Sequence, residues 1–382
     1  MIKARKLRRS LDAAIRDRRP DRFWSDLREA LDKKQLRPTD FSIRQLFEAF
    51  VEEGRELADS FSPRQGGGVA LLEAAVDTSA FSNISGQVVF TAVMEAFESE
   101  AFVFSSLVQT IPTQFNGEKI PGVGRLGDVA EPIGEGAAYP QVGLNEDWIE
   151  TPETTKRGFI VPVTKEAIFF DRTNLLLQRA AEVGEFLGLN KEKRVLDCVI
   201  DENAAEHRYK WRGTTYATYQ SSAPWDNVTT ANALDDWTSI DAAEQTLNGI
   251  TDPNTGEPVL VTPTHLIVAP RNLHAARRIV SATEIQSSAG GDQTMVTRNP
   301  IDSYQIASSR LLASRMADDT DWFLGNPRKA FAYMQNWPVT VIQAPSNSEA
   351  EFTQDIVVRF KASERGAAAT LEPRVMTRCT AA

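Results

Sequence analysis

Residues Glu131–Asp171 read EPIGEGAAYPQVGLNEDWIETPETTKRGFIVPVTKEAIFFD, and the folding of this stretch decides how the rest is understood. In its first half Pro132, Gly134, Gly136, Pro140 and Gly143 interrupt every helical period, and short strand-like pieces follow, ending in KRGFIVPVT. TKEAIFFD then reads as a short helix with Thr164 as its cap. From about Thr110 to Val163 the chain is therefore expected to make a long two-stranded excursion. A connection of that length is out of place in a compact domain unless it serves a function, and reaching onto another chain is one such use.

Toward the C-terminus, NLLLQRAAEVGEFLGLNKEKRVLDCVID sets Leu176, Ala180, Val183 and Leu187 on one face, which predicts a helix to about Asp201, roughly 40 Å long at 1.5 Å per residue. YKWRGTTYATY predicts a hairpin turning at Arg212-Gly213, with Tyr209, Trp211, Tyr216 and Tyr219 used for packing rather than for stacking on bases. From Trp237 the order is helix SIDAAEQTLNGI, strand THLIVAP, helix RNLHAARRIVS, a Gly/Ser loop around Gly290 and strand DSYQIASSRLLA, a mixed α/β unit. WPVTVIQAP, DIVVRFKASER and AAATLEPRVMTRC read as three closing strands.

Toward the N-terminus, Gly122, Gly124 and Gly127 spell G-x-G-x-x-G, the spacing of a dinucleotide-binding turn. The context fails, because FNGEKIP precedes it where a hydrophobic strand is needed, and Pro132, Gly134, Gly136 and Pro140 follow where a helix should open. The chain has no phosphate-loop, zinc-protease or nucleophile-elbow motif, and His207, His265 and His274 fall in different elements. Cys198 and Cys379 form no metal clip or disulfide framework and are expected as reduced thiols. Asn-x-Ser/Thr matches at Asn83 and Asn227 are short enough to arise by chance. No enzyme chemistry, cofactor or metal is expected.

VDTSAFSNISGQVVFTAVMEAF mixes an extended start with an apolar helix from about Gly86 to Glu98. Residues 1–66 read as a helical, charged module, with Phe23, Leu27 and Leu31 on one helix face and Ile43, Leu46, Phe47 and Phe50 on a second. DSFSPRQGGG then breaks the pattern and is the best domain boundary. The module holds 16 Lys/Arg and 12 Asp/Glu, a net +4; with −10 for all 382 residues, the remainder carries −14. An acidic body is poorly suited to gripping phosphates over a broad face. At 42% hydrophobic the chain can fill a substantial core, yet no apolar run approaches the roughly 20 residues of a membrane span.

EPIGEGAAYPQVGLNEDWIETPETTKRGFIVPVTKEAIFFD, followed by a long helix, resembles the extended loop and spine helix of tailed-bacteriophage major capsid proteins of the Hong Kong 97-type fold. The loop's G-E-G is matched by Gly134, Glu135 and Gly136, and the strand ending P-V-[ST]-[KR]-E by Pro162 to Glu166. HLIVAPRNLHAARRI resembles the axial-domain strand and helix, and DWFLGNPRKAFAYMQNWPVTVIQAP with FTQDIVVRFKASERGAAATLEPRV resembles the late strands. The resemblance covers about Val69 to Cys379.

The resemblance implies an α+β capsid fold divided into an N-terminal module (1–66), an arm and helix (67–110), an extended loop (111–163), a peripheral domain with spine helix and hairpin (164–236), an axial domain (237–325) and returning C-terminal strands (326–382). It implies hexamers and pentamers closing into an icosahedral shell around double-stranded DNA bound without sequence specificity. Portal, and a scaffold or maturation protease, would be partners, and the location would be the virion after assembly in the host cytoplasm. On this reading Gly122, Gly124, Gly127, Gly134, Glu135 and Gly136 shape the assembly loop. Residues 1–66 act as scaffold, and maturation cleavage falls between Ser60 and Leu72, around Gly66, Gly67 and Gly68. An encapsulin-like shell around enzyme cargo is the alternative.

Overall fold

The computed structural model describes residues 79–121, 148–164, 170, 172–202, 209–253, 256–288, 294–299, 301, 304–344 and 356–381, with 29, 31 and 33 near the N-terminus. The expected helices of the first 60 residues, the linker and the short helix after Thr164 lie outside these. The chain is α+β and divides into two compact units: one of residues 1–100, 156–190 and 337–365, the other of 101–155, 191–336 and 366–382.

In the first unit, helix α1 (Ser79–Phe97) buries Val88, Val89, Ala92 and Val93. It starts about two turns before the expected Gly86 because a helix nucleated by its apolar half extends through polar residues at little cost. Gly184 lies against it: a Cβ there would sit 2.1 Å from the Val93 carbonyl oxygen, so the two helices meet backbone to backbone. Strand β4 (Thr155–Thr164) buries Val161 and Val163 near its end.

Between β4 and the hairpin runs helix α3 (Thr173–Ile200), roughly 42 Å of continuous helix at 1.5 Å per residue. Leu176, Ala180 and Leu187 are buried and Val183 half-buried, as the periodicity predicts.

The second unit contains the short helix α2 (Val103–Leu107), strands β1 (Gln109–Pro112), β2 (Lys119–Pro121) and β3 (Trp148–Glu150), and the hairpin β5 (Tyr209–Trp211) and β6 (Thr214–Tyr216). The hairpin turns where expected, with Arg212 at φ 50° and Gly213 at φ 79°, the pair of left-handed residues that matches strand twist. No atom comes within 4 Å of a Cβ built on Gly213, so Gly213→Ala would add backbone strain and nothing else. A loss of about 1 kcal/mol in urea unfolding is expected.

Strands β7 (Ser221–Ser222), β8 (Trp225–Asp226) and β9 (Val228–Thr229) follow, then helix α4 (Trp237–Gly249), capped by the Asp236 carboxylate accepting from the Thr238 amide. β10 (His265–Val268), helix α5 (Leu273–Ser281), β11 (Glu284–Ser288), β12 (Thr294–Arg298), β13 (Gln305–Ala307), helix α6 (Arg310–Arg315), β14 (Trp322–Gly325), helix α7 (Pro327–Ala330), β15 (Phe331–Gln343), β16 (Ile356–Thr370) and β17 (Met376–Cys379) complete the described elements. One sheet has the order β13-β10-β14-β17-β9, and another β2-β3-β5-β6. A third, β1-β15-β16-β4, carries the long C-terminal strands.

The β10–β14 pair explains the uninterrupted apolar runs HLIV and WFLG. Alternate side chains enter two cores: Ile267 and Phe323 join Phe104, Leu196 and Val199, while Leu266, Val268, Trp322 and Leu324 join Ile240, Leu247 and Tyr209. A sheet covered on both faces needs apolar residues at every position.

Two sequence expectations are corrected here and one element is added. The Gly/Ser segment around Gly290 is flanked by a paired ribbon, β11 with β12, registered from Glu284↔Arg298 to Ser288↔Thr294. DSYQIASSRLLA is a strand only over Gln305–Ala307; Ser309 then caps α6 by accepting from the Leu311 amide, a local bond that outweighs strand propensity. The last three strands are also divided differently. β16 runs through Arg365 and Gly366 into GAAAT, and the chain breaks instead at a 3-10 turn over Pro373–Val375. Gly366 permits this continuity, since a Cβ there would lie 2.6 Å from the Tyr333 hydroxyl and 2.7 Å from the Met334 carbonyl oxygen.

Candidate assembly surface

The excursion has a built stem. β2 and β3 pair antiparallel in the register Lys119↔Glu150, Ile120↔Ile149 and Pro121↔Trp148, so the chain leaves at Pro121 and returns beside it at Trp148. Below the pair, Thr151 Oγ1 accepts from the Glu118 amide at 2.9 Å, and Asn116 Oδ1 accepts from both the amide and the hydroxyl of Thr154 at 2.9 and 3.0 Å. β3 continues into the hairpin through Ile149↔Trp211, and Ile149 is buried among Tyr209, Trp225 and Leu234. The hairpin aromatics pack as expected: Tyr209 meets Trp225 edge-on at 5.3 Å and Tyr216 lies 5.5 Å from the same ring. Tyr219 instead turns into the other core, where its hydroxyl donates to the Val199 carbonyl at 2.7 Å.

Charge holds the stem's register. Glu150 pairs with Lys210 and stands 3.8 Å from Lys119, whose ammonium lies 5.1 Å above the Trp148 ring. The hydrogen bond from Lys210 keeps the Glu150 carboxyl below its ordinary value of 4.5. A carboxyl lowered in the fold contributes stability that is complete above its unfolded pKa and is lost as pH falls through the folded one. Acidification from neutrality to below 4.5 is thus expected to speed exchange of the Ile120 and Ile149 amides beyond the intrinsic pH effect, and Glu150→Gln should remove that acid step.

A second surface lies in the first unit. β4 is the last strand of its sheet, and its first half is exposed: Phe159 retains 47% and Ile160 58% of its surface. Phe186 on α3, 53% exposed, lies with its ring 6.3 Å from that of Phe159.

The remaining buried polar groups are structural. Glu192, fully buried on α3, accepts from the Phe104 amide at 2.8 Å and from the amide and hydroxyl of Ser105 at 2.7 Å each, capping α2. Asn227, matched in the sequence only as an Asn-Val-Thr triplet, is fully buried: its Nδ2 donates to the carbonyls of Thr218, Pro373 and Met376, and its Oδ1 accepts from the Gln220 amide. Burial opposes the charge on Arg374, but hydrogen bonds and charge from Glu372 and Asp252 outweigh it and hold the guanidinium above its usual value. Arg378 pairs with Asp321 and Glu202. Sequence reading missed all of these. The one signal was Glu192 itself, which shares a helical stripe with Val195, Leu196 and Val199 where a solvated charge does not belong.

The glycine and loop residues Gly122, Gly124, Gly127, Gly134, Glu135 and Gly136 lie outside the described residues, as do Ser60, Gly66, Gly67, Gly68 and Leu72. The structure therefore supplies the stem of the loop and not its course. Cys198 and Cys379 are buried free thiols whose pKa burial pushes up to about 12, so neither supplies a thiolate at neutral pH. His265 is half-buried with Nδ1 2.8 Å from the Thr264 hydroxyl, and His274 is exposed on α5. Among the described residues no group of His, Cys, Asp or Glu is placed to hold a metal ion, and no helix is long and apolar enough to cross a membrane.

Residues 149–379, more than half of the chain, match the family model described as phage capsid protein. None of the curated proteins matches. Among solved structures, the chain is similar to one from Mycobacterium phage Bobi at 12% identity and a TM-score of 0.46, covering 72% of this chain and 89% of that one. It is similar to the capsid of a native GTA particle at 10% identity and 0.45, covering 74% and 90%. It is also similar to the capsid of the cyanophage P-SCSP1u at 12% and 0.45, covering 71% and 85%. The family match, which begins at the stem residue Ile149 and ends in the last strand, carries the assignment. The chain belongs to the phage capsid protein family: it is a major capsid protein, a structural subunit and not an enzyme.

Proposed function

We propose that the chain is a Hong Kong 97-type shell subunit that assembles into hexamers and pentamers and closes an icosahedral head around double-stranded DNA. The observation that carries this is the stem. Pro121 and Trp148 face each other, so the segment between them starts and ends at one place, which supports its reading as a loop that reaches a neighbouring subunit. The order of long helix, aromatic hairpin, α/β unit and long returning strands supports the same reading. Each contact in such a shell is repeated by symmetry, so modest contacts sum to a permanent assembly.

In this reading residues 1–66 act as scaffold, cleavage between Ser60 and Leu72 removes them, and portal and maturation protease are the partners. The −14 carried beyond residue 66 supports DNA held by confinement rather than by tight binding, which leaves it able to slide during filling and release. Electron microscopy of the recombinant full-length chain, with intact mass of the chain from particles, tests the proposal. Closed shells or rings of five and six are expected, and a mass loss matching residues 1–66 in the particle. A monodisperse monomer or dimer under all scaffold and ionic conditions would sink it, and an intact N-terminus in particles would remove the cleavage step.

A further inference from the structure

We propose that Asn116-Gly117, at the foot of the stem, is a site of spontaneous covalent modification, at which the Gly117 amide nitrogen closes on the Asn116 side-chain carbonyl while Thr154 holds and polarises that carbonyl. The inference concerns the single chain and does not depend on the shell reading. Asn116 Oδ1 accepts from the Thr154 amide at 2.9 Å and from its hydroxyl at 3.0 Å. A backbone amide can only donate, which identifies the facing atom of Asn116 as the oxygen. Thr154 is 5% exposed, so its donors are fixed by packing rather than shared with bulk water. Both distances fall in the range, about 2.7–3.1 Å, at which preorganised donors stabilise an oxygen that gains negative charge under attack.

The nucleophile is placed by the same bend. Gly117 is left-handed at φ 80°, and a Cβ there would lie 3.3 Å from the Thr151 carbonyl oxygen. The fold therefore selects the residue whose nitrogen has no side chain beside it to block the approach. Among the described residues no hydrogen bond holds the Gly117 amide, and both residues of the pair are exposed to water. In the first step the Gly117 nitrogen bonds to Asn116 Cγ, the Cγ–Nδ2 bond breaks, and ammonia leaves with the amide proton, giving a cyclic succinimide. Water then opens the ring at either carbonyl, leaving aspartate or isoaspartate. Asn248-Gly249 is the contrast within the chain: the same dipeptide ends α4, where the Gly249 amide is already donated to the preceding turn of helix. The isoaspartate product adds one backbone carbon just before Glu118, whose amide donates to Thr151 Oγ1 and whose carbonyl accepts from the Thr151 amide, each at 2.9 Å. The modification thus falls on the bonds beneath the stem.

The test incubates the full chain at mildly alkaline pH, native and in urea, and follows both dipeptides by peptide mapping, reading ammonia loss and isoaspartate. The chain in urea gives the intrinsic rate of each pair. Native Asn116 is expected to react at least as fast as in urea, and about tenfold or more faster than native Asn248. Thr154→Val removes the hydroxyl donor and should slow native Asn116 by about tenfold, whereas Thr154→Ser should keep the wild-type rate, with neither altering the rate in urea. A native Asn116 slower than in urea, or one unslowed in Thr154→Val, would overturn the proposal and show that the Thr154 bonds protect the side chain. Native Asn248 reports unfolding in the same sample: if its rate also rises in Thr154→Val, the wild-type comparison with urea alone decides.

Discussion

Glu192→Ala is expected to lower stability by about 2–5 kcal/mol, because it leaves two amide donors at the start of α2 without an acceptor in a buried site. The carboxylate is fully buried and uses both oxygens, Oε1 toward Phe104 and Oε2 toward Ser105. Phe104 is itself buried in the core with Leu196, Val199 and Phe323, so water cannot replace the lost acceptor at its amide. Glu192→Gln retains one acceptor but presents an amide N–H to the other donor, and an intermediate loss is expected. Thermal unfolding of unassembled subunits would check this. Equal midpoints for the Ala and Gln variants and wild type would mean that α2 is held by its packing alone.

Gly184→Ala should be comparably damaging for a steric reason. In an exposed helix interior, alanine in place of glycine gains about 1 kcal/mol. Here the new methyl would meet the Val93 carbonyl oxygen at 2.1 Å, its carbon at 2.9 Å and Ala96 Cβ at 3.1 Å. Backbone cannot rotate away as a flexible side chain can, so α1 and α3 must separate. The overpacking cost, about 3 kcal/mol or more, exceeds the propensity gain. Gly249 at the end of α4 is the control, since a Cβ there has no heavy atom within 4 Å and Gly249→Ala should change stability by less than about 1 kcal/mol. A Gly184→Ala chain as stable as wild type would show that the helices are not in backbone contact.

Both changes act on the unassembled chain, which separates them from the contacts that build a shell. The hydrogen-bond partners of Glu192 are Phe104 and Ser105 and the neighbours of Gly184 are Val93 and Ala96, so both changes are expected to act on the folding of the single chain.

The sequence by itself determined the long helix, the hairpin and the stem. Each rests on a signal confined to neighbouring residues: an apolar repeat every three or four residues from Leu176 to Leu187, an Arg-Gly turn between aromatic runs, and the glycines and prolines of the excursion expected from Thr110 to Val163. The ends of that excursion, at Gln109–Pro112 and Thr155–Thr164, pair instead in the sheet of the long C-terminal strands. HLIV was legible as a strand for the same reason, whereas WFLG entered only through the resemblance of the late strands. What they could not tell is that one alternation feeds two cores, since that depends on which elements cover each face.

Tertiary structure alone decided the rest. Glu192 and Arg194 are buried because the amides of Phe104 and Ser105 and the carbonyl of Gly366 arrive from 87 to 172 residues away, partners that the segment KEKR cannot name. Asn227 became a hub between three carbonyls, two of them 146 and 149 residues away, and IVVRFKASERGAAAT stayed one strand because Gly366 leaves room for Tyr333. The β4 surface is the sharpest case. Phe159 and Ile160 are exposed while Val161 and Val163 of the same strand are buried, a difference that the apolar run FIVPV does not record. Local patterns fix what a segment prefers to be; burial and pairing depend on segments far along the chain, whose arrival no short window records.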